Sequence, residues 1–287
     1  MTPALPDGVD ASDLEAIAVD VALSAGQLIV DDRPEVLGVA ATKSTATDIV
    51  TVMDQRSQDH LLARLAELRP DDAVLGEEKG GRKGSSGVAW VVDPIDGTVN
   101  YLYRLPAYAV SVAAVVGDPG RDGAWTPVAG AVVNPVSGEV FRAARGRGAH
   151  LRDRTGGERR LDVGNGPTDL SAALVATGFG YNAGVRREQA SVLVDLLPQV
   201  RDIRRLGSAA LDLCRLAAGE VDAYYERGLN PWDVAAGWLV ALEAGCHVGG
   251  PMPDSAPDAS LTWACRPSLA VDFGSRVREL TLLHHGR

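Results

Sequence analysis

Cysteine is scarce: three residues in 287, Cys214, Cys246 and Cys265, an odd number with no C-x-x-C spacing. That excludes a disulfide framework and a cysteine-bound zinc site, and it points to a reducing cytoplasm. The five histidines are equally scattered, and His284 and His285 read as frayed-end residues beside the C-terminus. No apolar run is long enough to span a bilayer; the longest, over 107–116, is interrupted by Ser111 and has the length of a strand. The first dozen residues show no basic region followed by an apolar one, so no secretory leader is expected. Positive charge is also short: the net charge is −10, which makes a nucleic-acid backbone an unlikely general partner. No internal repeat or low-complexity tract stands out.

What remains is an ordinary globular composition, 46% hydrophobic and 23% charged, in a chain long enough to bury a large core. The stretch over 90–106, WVVDPIDGTVNYLYRLP, organises it. Trp90, Val91 and Val92 end a short apolar run of buried-strand character, and Asp93 and Asp96 follow at once. Gly97 and Thr98 then allow a turn into a helix. Pro94 fixes its own φ and holds Asp93 extended. Carboxylates at a strand end can hold a hard divalent cation through oxygen. The N–H groups of the following turn can cradle an anion such as phosphate. Metal beside phosphate is the requirement of metal-assisted ester hydrolysis. The competing reading is that Asp-Pro and Asp-Gly are common turn formers and make only a loop.

Along the chain, Asp10 or Ser12 opens a helix with Leu14, Ile17, Val21 and Ile29 on one face, ending near Pro34. Lys43, Ser44 and Thr45 read as a mobile polar loop, and 48–52 as a short extended segment. Asp54 reads as the cap of a second helix reaching Leu68. A strand over 73–75 delivers Glu77 and Glu78, and the glycine- and lysine-rich 79–87 reads as a flexible link. Antiparallel strands are expected over 107–116, 126–133 and 138–143, with a charged hairpin tip over 151–160. In the second half, strands over 174–177, 201–206, 221–225, 246–248 and 261–265 alternate with helices over 186–197, 208–218, 233–244 and 268–283. That alternation predicts a layered α/β architecture with sheets between helices. Residues 1–9 are expected to be a disordered tail before a single domain over 10–287, in which 10–165 carries the metal site and 166–287 forms a second α/β half.

A second carboxylate pair frames the segment ERGLNPWDVAAG. Glu226 comes at a strand end, and Asp233 reads as the N-cap of the next helix, which leaves one oxygen for a metal.

These residues resemble the inositol monophosphatase family. The resemblance rests on Gly76-Glu77-Glu78, on WVVDPIDGTVN over 90–100 and on WDVAAG over 232–237, with RLGSAALDLC over 205–214 between them. It implies a five-layered αβαβα sandwich of the sugar-phosphatase type, a homodimer, and Mg²⁺-dependent hydrolysis of phosphate monoesters with lithium inhibition. Position by position, Glu77, Asp93 and the carbonyl of Ile95 would bind a first metal, Asp93, Asp96 and Asp233 a second, and Glu77 a weaker third. Thr98, paired with Asp54, would act with Glu77 on the attacking water. Gly97 and Thr98 would donate N–H groups to phosphate. Ala209 and Glu226, with Asp96 and Asp233, would meet the substrate, and Lys43 would sit on the loop near the third metal. Oxygen-only ligands fit Mg²⁺, or Mn²⁺ in its place, over zinc. Inositol 1-phosphate is the expected substrate. The alternatives are histidinol phosphate, fructose 1,6-bisphosphate and 3′-phosphoadenosine 5′-phosphate, or a binding protein of this fold without turnover. No membrane partner is expected.

Overall fold

The structure, a computed structural model, describes residues 4–43 and 49–285. Its elements in chain order are α1 (Ala11–Asp31), β1 (Ala41–Thr42), β2 (Ile49–Val50), α2 (Val52–Leu68), β3 (Ala73–Gly76), β4 (Val88–Asp96) and α3 (Thr98–Tyr103). Then follow β5 (Ala109–Gly117), β6 (Trp125–Asn134), β7 (Glu139–Ala144), β8 (Gly148–Arg152), β9 (Glu158–Leu161) and β10 (Leu174–Thr177). The rest are α4 (Ala183–Leu196), β11 (Asp202–Arg204), α5 (Ala209–Ala217), β12 (Ala223–Glu226), α6 (Pro231–Glu243), β13 (His247–Gly249), β14 (Thr262–Cys265) and α7 (Ala270–His284).

Strands β3 to β9 lie side by side in sequence order, with only the β3–β4 pair parallel. A second sheet has the order β11-β10-β12-β14-β13. Side chains alternate across each strand, so one strand feeds two cores. In β4, Val88, Trp90 and Val92 pack with α1 and α2 through Leu14, Ile29, Leu61 and Leu65. Ala89 and Val91 face the other way, onto α5 and α6 through Leu211, Cys214 and Leu239. The far sides of α5 and α6 cover the second sheet through Leu213, Leu216 and Ala241. Its outer face is closed by Val192 and Leu196 of α4 with Phe273 and Val277 of α7. Helix, sheet, helix, sheet, helix: this is the expected five-layered sandwich. No helix among the described residues is long and apolar enough to cross a membrane.

Several local expectations are corrected. Strand β4 ends in the carboxylates as expected, running through Asp96, but its pairing to β5 shifts register between Asp93 and Asp96. Asp54 and Asp233 are not N-caps: Thr51 and Asn230 are, because each has the extended backbone of a cap three residues earlier. The stretch over 151–160 is more than a hairpin tip, since it contains the ends of β8 and the edge strand β9. The link over 79–87 is tied down, because Arg82 bridges Val74 and its guanidinium reaches the carbonyls of Arg69 and Asp72. Gly84 lies so close to Ala73 that a side chain there would collide with backbone. His284 is held by Asp195 at 2.6 Å, and His285 lies 2.6 Å from Arg227, so the end of α7 is anchored rather than frayed. Leu5 and Val9 rest against the α1 core. Of the polar loop at 43–45, Ser44 and Thr45 lie outside the described residues.

Candidate active site

The irregularity in the last residues of β4 gives the site its geometry. Continuing the alternation of β4, Asp93 faces the side on which α5 and α6 pack. Its Oδ1 accepts the N–H of Ile95 at 3.0 Å, which curls the chain over Pro94. Gly97 then takes φ +95 to start α3; a β-carbon there would press on the carbonyls of Ala107 and Gly207.

Asp96, Asp93 and Asp233 converge, with one oxygen from each lying within 4.8 Å of the others. Each is held through an oxygen that accepts a protein hydrogen bond. Asp96 Oδ2 takes Ser208 Oγ at 2.6 Å and the N–H of Ala210 at 2.8 Å. Asp233 Oδ2 takes the N–H of Asn230 at 2.6 Å, closing a capping box at the start of α6. Burial, then the charges of Glu77, Asp96 and Asp233, push Asp93 well above the usual carboxylate range. Asp233 is raised the same way, first by burial. Burial also pushes Asp96 up to about 6, although Ser208 and two backbone N–H groups of α5 pull against it. Three clustered anions with hard oxygen donors are the donor set that a divalent cation relieves. The residues present therefore fit a hard metal ion.

Glu77 stands beside this trio. Its Oε1 takes Lys43 Nζ at 2.7 Å, and the same ammonium lies 2.5 Å from Glu78 Oε1. Burial raises Glu77 to about 7, against the pull of Lys43. Burial lowers the Lys43 ammonium, but the two glutamates outweigh it and hold it above its ordinary value.

On the opposite side, Thr98 Oγ1 lies 2.9 Å from Asp54 Oδ1 and 3.1 Å from the carbonyl of Ile95. Asp54 Oδ2 is occupied by the N–H and hydroxyl of Thr51 at 2.8 and 2.6 Å. Burial raises Asp54, while Thr51 and Thr98 counter it.

A cleft of about 420 Å³ opens onto these groups and is lined by Lys43, Glu77, Asp96, Gly97, Ala209, Glu226 and Asp233. Glu226 Oε2 accepts the Tyr224 hydroxyl at 2.9 Å, and burial pushes it up to about 7. The structure thus places Lys43, Glu77, Asp96, Gly97, Ala209, Glu226 and Asp233 on one cleft, with Asp93 buried among the converging aspartates. Asp54, Thr98 and Ile95 are not among the lining residues and join the site through the Thr98 hydroxyl.

Four supporting residues went unnoticed in the sequence. Ser208 orients Asp96, and a serine at the start of an expected helix was the available signal. Thr51 holds Asp54. Gln58 pins the glutamate segment by accepting from Glu78 N at 2.7 Å and donating to Lys79 O at 2.9 Å. Gly178 leaves the space that the Glu226 carboxylate fills. Nothing in the local sequence marks the last two.

Residues 10–270 match the profile of the inositol monophosphatase family. The chain belongs to that family. It is 44% identical over 274 residues to the inositol-1-monophosphatase of Mycobacterium bovis, covering 91% of both chains. It is 38% identical over 231 residues to the Nus factor SuhB of Pasteurella multocida, covering 80% of this chain and 82% of that one. The solved structure of Mycobacterium tuberculosis SuhB superposes with a TM-score of 0.78 at 42% identity, over 94% of this chain and 98% of that one. Membership of this family supports a phosphatase.

Proposed function

We propose that the chain is a Mg²⁺-dependent phosphomonoesterase whose substrate is inositol 1-phosphate. The observation that carries this reading is the convergence of Asp93, Asp96 and Asp233 at a cleft lined by Glu77, Asp96, Gly97 and Asp233, with the Thr98 hydroxyl next in the chain bonded to Asp54. Asp93, Asp96, Asp233, Glu77 and the carbonyl of Ile95 would hold Mg²⁺ or Mn²⁺. Bound there, the metal would activate water for in-line attack and stabilise the departing oxygen.

The protein groups do the rest. Thr98, donating its proton to Asp54, keeps its oxygen lone pairs free to accept from a water. Glu77, beside the aspartate trio, would act with Thr98 on the proton of that water. The N–H groups of Gly97 and Thr98 start α3 without intrahelical acceptors and can receive phosphate oxygens. Ala209 and Glu226 line the substrate end, where a carboxylate pairs with vicinal hydroxyls. Lithium sensitivity, a homodimer and a cytoplasmic location belong to the same reading.

Histidinol phosphate, fructose 1,6-bisphosphate and 3′-phosphoadenosine 5′-phosphate are the rival substrates. A non-catalytic role of the kind the Nus factor relative's name suggests is weakened by the complete set of carboxylates. Phosphate release from all four compounds, each with Mg²⁺ and with chelator, tests the reading. Mg²⁺-dependent preference for inositol 1-phosphate supports it. Another winner moves the substrate, and silence across the panel favours the binding role.

A further inference from the structure

The chain's net charge of −10 conceals a strong local reversal. Residues 142–160 contain seven arginines and only two acids, Asp153 and Glu158, for a net +5, so the remainder carries −15. Both acids are already committed. Asp153 Oδ1 accepts from Thr155 and Gly157 within the β8–β9 turn. Glu158 is held by the Arg142 guanidinium at 2.6 Å. Arg152, Arg154, Arg159 and Arg160 make no ion pair within 4.0 Å among the described residues, and only the longer-range fields of Glu158 on Arg152 and Glu139 on Arg159 act on them.

This charge sits on an open sheet edge. Among the described residues β9 pairs only with β8, and Glu158, Arg159 and Arg160 are exposed. An edge strand leaves a row of backbone N–H and C=O groups without partners. The arginines also straddle the sheet. Arg159 shares the face of Leu151, which packs toward α6, whereas Arg160 and Arg152 share the face of His150 and Arg142, on the α1 side.

We propose that the β9 edge is a docking rim for an extended acidic peptide, which adds in the plane of the sheet as an eighth strand. A strand supplies both donors and acceptors to the edge, which a phosphodiester chain cannot do. An in-plane strand meets arginines on both faces, whereas a nucleic acid lying on the sheet would meet one. The hairpin offers no exposed aromatic ring for base stacking. Arginines on an edge repel neutral or basic strands, so the same charge that guards the edge selects an acidic partner.

The test is fluorescence anisotropy at low ionic strength with a fluorescein-labelled ten-residue peptide alternating glutamate and threonine. Three competitors are compared: the same peptide N-methylated at alternate residues, a glutamine–threonine peptide and a ten-nucleotide oligouridine. The glutamate peptide is expected to bind at least about tenfold more tightly than each, a difference of about 1.4 kcal/mol. The double variant Arg159→Glu with Arg160→Glu should lose that binding while its melting temperature and phosphate release stay unchanged. Equal binding of the N-methylated peptide, tighter binding of oligouridine, or unaltered binding by the double variant would overturn the proposal.

Discussion

Asp54 and Asp233 occupy the same position in two different helices. Each is the third residue after its N-cap, Thr51 in α2 and Asn230 in α6, and each returns one carboxylate oxygen to the N–H of that cap. A capping box stiffens the side chain with one oxygen and leaves the other pointing out of the helix start. In Asp54 the second oxygen meets Thr98; Asp233 adds an oxygen to the aspartate trio. Two ordinary helix-start devices thus fix two acids of the site, Asp233 on the cleft and Asp54 on the Thr98 hydroxyl.

Asp93→Asn removes the acid common to the first and second expected metal positions. Turnover is expected to fall by more than the roughly 10–100-fold typical of losing an outer partner of a metal ligand. The metal-free variant should melt at a higher temperature than the parent, because a buried anion crowded by Glu77, Asp96 and Asp233 is gone. Calorimetry with and without Mg²⁺ checks both halves. Near-parental turnover would rule out the assigned role.

Thr98→Ala leaves the cleft's carboxylates in place but removes the hydroxyl paired with Asp54. The expected result is a kcat loss of about 10²–10⁴, the range of a proton-handling group, with KM little changed. Steady-state kinetics decide it. A pure KM effect would mean that the hydroxyl binds substrate and does not act on water.

The raised acids predict an unusual pH response. Glu77 is held at about 7 and Asp96 at about 6, both first by burial, against ordinary values of 4.5 and 3.8. A carboxylate raised in the folded state keeps a proton that the unfolded chain has already released. The stability it contributes is therefore complete below the ordinary value and lost as pH climbs through 6 and 7. Without metal, the melting temperature should fall between about pH 5 and 8. A divalent cation competes with the same protons, so the rise in melting temperature on adding Mg²⁺ should grow over that interval. A Mg²⁺ increment that stays flat with pH would contradict the raised values.

Ser208→Ala separates orientation from ligation. The serine caps α5 and donates to Asp96 at 2.6 Å. Losing the cap should cost about 0.5–2 kcal/mol. The Mg²⁺ concentration for half-maximal rate should rise about 10–100-fold, while the rate at saturating Mg²⁺ recovers toward the parent. An unchanged Mg²⁺ requirement would show that Ser208 serves the helix alone.

The layered fold was legible because its signals are periodic. The strand-length apolar run over 107–116 and the helical spacing from Leu14 to Ile29 survive into β5 and α1 with only shifted ends. The acids that could hold a metal were legible because they are sequence neighbours at a strand end or beside a helix start. Caps were misplaced because Asp is itself a good cap, and nothing local says that Thr51 or Asn230 already fills the place. Gln58 and Gly178 were invisible for another reason: each acts on a segment far away in sequence, Gln58 on Glu78 and Gly178 on Glu226. The anchored 79–87 link was misread because glycine signals freedom in an isolated chain but close approach in a packed one.

The register shift of β4 leaves Asp96 dependent on Ser208, which lies 112 positions later on a helix between the two sheets. Asp233 comes from later still, on the neighbouring helix of the same layer. A nascent chain that has made only the seven-stranded sheet therefore carries Asp93 and Asp96 as bare, mutually repelling acids. Docking of the central helices gives Asp96 its bonds from Ser208 and Ala210 but adds Asp233 to the cluster, so a bound cation would be what offsets the charge. Metal uptake would then come last in maturation, and hydrolysis would report that every layer is in place.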